Sequence, residues 1–104
     1  MVNNINIANH NTLHNYLEKQ LITKRGYCLD SEGKDQNTGT ISLPTHSSAG
    51  KCLADCQTHL DATGCEYHKG GGECVYHTMD VADGSGDKDA GYYCWIIKSG
   101  TNKM

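Results

Sequence analysis

The sequence predicts a small disulfide-rich α+β domain, with one cysteine-bearing helix laid across a short antiparallel sheet. Three observations carry that expectation. The chain has 104 residues and six cysteines, five of them between Cys52 and Cys94. Cys52 and Cys56 stand four apart in a segment of helical periodicity, so both sulfurs point to one side. The segments after it alternate with a period of two and are separated by Gly70-Gly71-Gly72.

Composition sets the limits. A chain of this length makes one domain. The hydrophobic fraction is 37% and Phe is absent, and the mean hydropathy is −0.61. A core that thin calls for covalent staples. An even cysteine count in a short chain points to three disulfides and an oxidising compartment, hence to a secreted, extracellular protein. Zinc is the rival use of clustered cysteine, but the gaps are 23, 3, 8, 8 and 19 residues, without the paired knuckle of structural zinc sites. The net charge is −3, from 9 basic and 12 acidic residues. No basic stripe marks a nucleic-acid partner, and no apolar run approaches the ~18 residues of a membrane span. The opening MVNNINIANHN lacks the apolar region of a signal peptide, so a secreted chain is expected to have lost one already.

Taken in order, residues 1–25 read as an N-terminal extension. Leu13, Tyr16, Leu17 and Leu21 form one apolar stripe, which predicts an amphipathic helix over 12–24. Such a helix could pack on the domain or be offered to a partner or a second copy. The Lys24-Arg25 pair just before the first cysteine also suggests a cleavage site and a propeptide. Residues 26–98 form the domain, and 99–104 a dispensable tail. Gly26–Asp30 reads as a short strand and 31–48 as a loop carrying a short edge strand at 40–43. No Asn-x-Ser/Thr sequon occurs, so N-glycosylation is not expected.

The main helix is expected over Ser48–Leu60, capped by Ser47 or Ser48, with Gly64 ending it at a positive φ. Strands follow at 65–69 and 73–78, joined by the three glycines. On them Cys65, Tyr67, Cys74 and Tyr76 share one face, and Glu66, His68, Glu73, Val75 and His77 the other. The first set faces the helix, where Cys65 and Cys74 can meet Cys52 and Cys56. Parity does not choose between the pairings 52–74/56–65 and 52–65/56–74. Residues 79–90 read as a flexible acidic loop. In the last strand, 91–98, Tyr92, Cys94 and Ile96 lie on one face and Tyr93, Trp95 and Ile97 on the other. Both faces are apolar, so this strand belongs inside the sheet.

The run from C-x3-C through Gly64-Cys-Glu-Tyr67, the glycine turn, Cys74-Val-Tyr-His-Thr78 and Tyr92-Tyr-Cys-Trp95 resembles the PAN/apple domain superfamily, over about residues 26–98. The resemblance implies a five-stranded antiparallel sheet cradling one helix. It also implies nested bridges, Cys28 with Cys94, Cys52 with Cys74 and Cys56 with Cys65. It implies an extracellular module that binds carbohydrate or protein. The N-terminal extension lies outside the family pattern.

Candidate chemistry is limited. With three bridges no thiol is left for catalysis, and no hydrolase, zinc-protease or nucleotide-binding motif occurs, so no enzymatic role is expected. Sugar recognition needs an aromatic platform and fixed polar groups. The candidates are His68, Glu73 and His77 on the outer hairpin face, with Tyr93 and Trp95 of the last strand. If that strand is covered on both sides, Tyr93 and Trp95 are instead core beneath the N-terminal helix. Hairpin pairing places His68 opposite Glu73 and His77 near Gly64, too far apart to share a metal without a third ligand. Asp80, Asp83, Asp87 and Asp89 suggest calcium as the one ion to consider, but their spacing is not that of an EF-hand; no cofactor is expected. Three functions follow: a non-catalytic recognition module for extracellular glycan or protein, a self-assembling subunit of a fibre or matrix, and a processed signalling or toxin-like polypeptide.

Overall fold

The computed structural model describes residues 19–98. It shows one helix, α1 (Ala49–Cys56), and seven strands: β1 (Gln20–Arg25), β2 (Cys28–Leu29), β3 (Thr40–Leu43), β4 (Gly64–His68), β5 (Glu73–His77), β6 (Asp83–Gly84) and β7 (Tyr92–Lys98). Five strands form an antiparallel sheet in the order β1-β7-β4-β5-β3, and β2 pairs with β6 in a separate two-stranded ladder.

The helix begins at Ser48, whose Oγ accepts from the Lys51 N–H at 3.2 Å, satisfying one of the free donors of the first turn. It is shorter than its sequence pattern suggests. It ends at Cys56, and Gln57 takes the C-cap position. Gly64 therefore does not terminate it, and its φ is not positive. This glycine opens β4, where the space around it explains the choice of residue. A Cβ there would lie 2.9 Å from Val81 Cγ2 and 3.1 Å from the Trp95 carbonyl. Gly64→Ala is accordingly expected to cost roughly 1–3 kcal/mol through overpacking, measured as a lowered urea midpoint at unchanged m-value. A neutral result would mean that Val81 can move aside freely.

β4 and β5 are joined by Lys69–Gly72. Gly72 has φ 76° and sits against the His46 carbonyl, a backbone position open to glycine and hostile to a side chain. The register is Cys65↔Tyr76, Tyr67↔Cys74 and His68↔Glu73, as the alternation predicts. β7 lies between β1 and β4, which agrees with its two apolar faces.

The two faces carry two cores. On the helix side Cys52, Cys56, Ala62, Cys65, Tyr67, Cys74, Tyr76 and Trp95 pack together, with Tyr93 and Ile97 against them. On the other side Cys28, Val81, Cys94 and Ile96 pack together, with Ile22 at the margin. Disulfides bolt each layer to the sheet. Cys52–Cys74 and Cys56–Cys65 hold α1, with Cα separations of 5.6 and 6.1 Å. Cys28–Cys94, at 5.2 Å, holds β2 to β7 across 66 residues of chain. All six cysteines are paired, and among the described residues no helix is long and apolar enough to cross a membrane.

Residues 20–24 correct the expectation of a helix over 12–24; Lys19 belongs to no element, and residues 12–18 lie outside the described ones. They are strand, paired with β7 from Gln20↔Lys98 to Arg25↔Tyr93. The fifth strand of the sheet thus comes from the stretch taken as an extension. Loop 79–90 is also more structured than expected, since it contains β6 and a 3₁₀ turn at Asp87–Asp89.

Candidate functional site

Among the described residues, the face of the sheet opposite α1 is only partly covered. The β2–β6 ladder lies over its centre, and the end near the β4–β5 turn is left as an open basin of about 290 Å³ lined by Glu66, His68, Glu73, Val75 and Tyr92. The alternation along β4 and β5 puts Glu66, His68, Glu73 and Val75 on this face. The β4–β7 register His68↔Tyr92 adds the tyrosine.

The rings form a platform. His68 stacks on Tyr92 with centroids 4.2 Å apart and planes 6° from parallel. Tyr27 meets Tyr92 edge-on at 5.7 Å. His68 Nδ1 lies 2.7 Å from Glu73 Oε1, which fixes the plane of the imidazole and leaves Nε2 for a ligand. Glu66 is more enclosed, and its Oε1 accepts from the Cys28 N–H at 2.9 Å. The lining thus offers a flat aromatic surface beside two carboxylates, with no Lys or Arg. Neutral polyols and cations suit such a surface; anionic groups do not.

The five residues expected to bind ligand do not come together. His68 and Glu73 share the basin. His77 lies on the same face but opposite Gly64 and is 1% exposed, sealed in the core. Tyr93 and Trp95 sit on the other side of the sheet, in the core against α1, where Trp95 is 6% exposed. Trp95 is core and Tyr93 packs half-buried against it, with α1 rather than an N-terminal helix as the cover. Tyr92, Tyr27 and Glu66 were missed. A signal for Tyr92 existed: Cys94 bridges to Cys28 rather than to the helix, so Tyr92, two residues away, shares the face turned from α1.

Three of the four aspartates of the acidic loop face different cations. Asp83 lies 3.5 Å from Lys24, Asp87 3.4 Å from Arg25, and Asp89 3.6 Å from Lys88, while the Asp80 carbonyl accepts from Gln36 Nε2. The Gly84 N–H, and then Lys24, hold the Asp83 carboxyl below its ordinary range. These pairs do not assemble a calcium cage.

A different titratable group stands out beneath the β2–β6 ladder. Glu66 Oε1 is 3.4 Å from His77 Nε2, and among the described residues neither ring nitrogen of His77 has a hydrogen-bond partner. Asp35, beside Leu29 in a bridge to β2, has its carboxyl pushed above the ordinary value by partial burial and then by the nearby Glu66 charge, with His77 pulling the other way. A raised folded-state value means that ionising Asp35 opposes folding. Its contribution is fully present below the unfolded value and lost as the pH rises through the folded one. Asp35→Asn is therefore expected to raise the melting temperature at pH 7 by the small amount typical of near-surface charges, within about 1 kcal/mol, and to change nothing at pH 3. An equal effect at both pH values would assign it to something other than charge.

On the helix side, His46 Nε2 meets Asp55 Oδ2 at 2.9 Å, and His59 stacks on Tyr76 at 4.3 Å. These contacts tie the loop before α1 and the turn after it to the helix layer.

Comparison with protein-family models, with curated proteins and with solved structures finds no match.

Proposed function

We propose that the chain is a secreted, non-catalytic recognition module of the PAN/apple kind, and that it binds carbohydrate through the basin on the open face of the sheet. The observation that carries this reading is the His68–Tyr92 stack with Glu73 hydrogen-bonded to it. A ring face receives the C–H surface of a sugar, and fixed carboxylates accept its hydroxyls. Support for the family comes from the nested bridges, the five-stranded sheet and the single helix. Three disulfides in a thin-cored domain favour an oxidising, extracellular setting.

The test is a glycan array probed with the oxidised protein, alongside Glu73→Gln. A defined preference for neutral or amino sugars that weakens in the variant supports the reading. A blank array moves the weight to a protein ligand.

A self-assembling role is the second reading, and one feature favours it. Among the described residues β1 and β3 end the sheet, and Leu21 and Ile41 on them are exposed. Unpaired edges beside apolar side chains are templates for strand addition. Light scattering that shows growth with concentration would establish it, and a monodisperse monomer would end it. The processed-polypeptide reading requires a cut after Lys24-Arg25, which pair with Cys94 and Tyr93 inside β1. A native N-terminus at Gly26, found by intact mass, would support that reading, and an uncut chain would remove it.

A further inference from the structure

The two carboxylates of the basin lack a fixed positive partner. Among the described residues the one ionic partner of Glu73 is His68, with Nδ1 2.7 Å from Oε1, and that of Glu66 is His77, 3.4 Å away. The loop aspartates Asp83 and Asp87 instead meet Lys24 and Arg25. The Glu66 side chain is only 17% exposed, and the Cys28 N–H from which it accepts is a neutral donor. A carboxylate this enclosed is costly to keep without a counter-charge. Its field extends under β2, where the Asp35 carboxyl is pushed up by burial and then by the Glu66 charge, with His77 pulling the other way.

Strand register brings the two carboxylates to one place. Glu66 pairs with Val75 and His68 with Glu73, so Glu66 and Glu73 are diagonal neighbours on one face, about 7–8 Å apart at the backbone and within reach of each other's long side chains. Both line the basin. Its volume of about 290 Å³ lies at the small end of small-molecule sites, ~300–1,000 Å³, which suits one terminal sugar ring. The His68–Tyr92 stack, with centroids 4.2 Å apart, sets aromatic rings beside the carboxylates, and such rings attract an ammonium as well as sugar C–H groups.

We infer that the ligand of the basin is a hexosamine with a free amine, its ammonium held between Glu66 and Glu73 and its ring laid on the His68–Tyr92 stack. The inference rests on the carbohydrate reading above and narrows it. A neutral sugar offers hydroxyls to the carboxylates but no charge. N-acetylation removes the charge and leaves an amide in its place. A uronate or sulfated sugar is repelled. Hydrogen bonds between two charged groups are the strong kind, so the amine governs selection.

The experiment is an NMR titration of the oxidised full chain at pH 7 with the methyl glycosides of glucosamine, N-acetylglucosamine and glucose, which differ only at carbon 2, and with their galacto counterparts. Butylammonium is the sugar-free amine. The expected result is movement of the His68 and Tyr92 signals, with an amino sugar binding at least ~10-fold tighter than its neutral and N-acetyl forms. Added salt should weaken the amino sugar and leave the neutral ones unchanged. Glu73→Gln and Glu66→Gln, each keeping shape and an acceptor oxygen, should erase most of the amine preference. If neutral sugars bind the basin as tightly as amino sugars, the inference is overturned and the carbohydrate reading stands. If butylammonium binds as tightly as the amino sugars, the basin is a bare cation site and both are overturned. Both are likewise overturned if no sugar moves the basin signals up to tens of millimolar. An amine preference that survives in both variants would place the ammonium elsewhere and overturn the inference alone.

Discussion

Replacing Cys28 and Cys94 together by alanine is expected to lower the melting temperature by roughly 15–30 °C, the largest effect of any bridge in this domain. The bridge spans 66 residues, and in the chain-entropy model closing such a loop is worth about 4 kcal/mol. For a domain of this size each kcal/mol moves the midpoint by about 4–8 °C. The other two bridges close shorter loops, 22 and 9 residues apart in sequence, so their removal is expected to cost less, with Cys56–Cys65 the least at about 3 kcal/mol. Calorimetry of the three double variants under non-reducing conditions reads the order directly. Cys28–Cys94 also ties the β2–β6 ladder over the second core, so its loss should expose Val81 and Ile96 and raise binding of a hydrophobic dye. An order in which Cys56–Cys65 matters most would show that local strain or packing, rather than loop closure, sets the contribution of the bridges.

Trp95→Ala and Tyr92→Ala are expected to fail in opposite ways, although they sit three residues apart on one strand. Trp95 is buried against the helix layer with Cys52, Cys56 and Cys65. Its truncation leaves a cavity and is expected to cost about 3–5 kcal/mol, a large part of the ~5–15 kcal/mol that holds a domain together. Tyr92 is half-buried and meets solvent in the basin. Its loss removes the stacking partner of His68 and should cost about 1 kcal/mol of stability. If the basin is the recognition surface, the same change should weaken glycan binding ~30-fold or more, as expected for a central aromatic anchor. Chemical denaturation and a binding titration on each variant separate the two roles. Unchanged glycan affinity in a folded Tyr92→Ala protein would remove the basin from consideration.

Much of this architecture is legible in the residues. The i, i+4 cysteines at 52 and 56, the alternation of 64–68 and 73–77, and the glycine turn each encode local geometry, because side-chain direction along a helix or strand follows from the backbone period. The same parity places His68 opposite Glu73. The first 25 residues read less well. Leu13, Tyr16, Leu17 and Leu21 match a helical stripe, yet residues 20–25 are drawn into β1 by the free edge of β7. An edge strand takes its stability from a neighbour some 70 residues away in sequence, and a local pattern carries no trace of that neighbour.

The helix with its two cysteines, the hairpin and its facing residues, and the need for three bridges follow from spacing and composition alone. Which rings meet depends instead on long-range pairing. Tyr92 joins His68, and Tyr93 and Trp95 go to the helix side, because the β4–β7 pairing brings together residues far apart in the chain in a register that either strand alone leaves open. The closure of β2 over Glu66 and His77 is likewise a product of the Cys28–Cys94 bridge. It buries an imidazole that the alternating pattern had placed on the outer face.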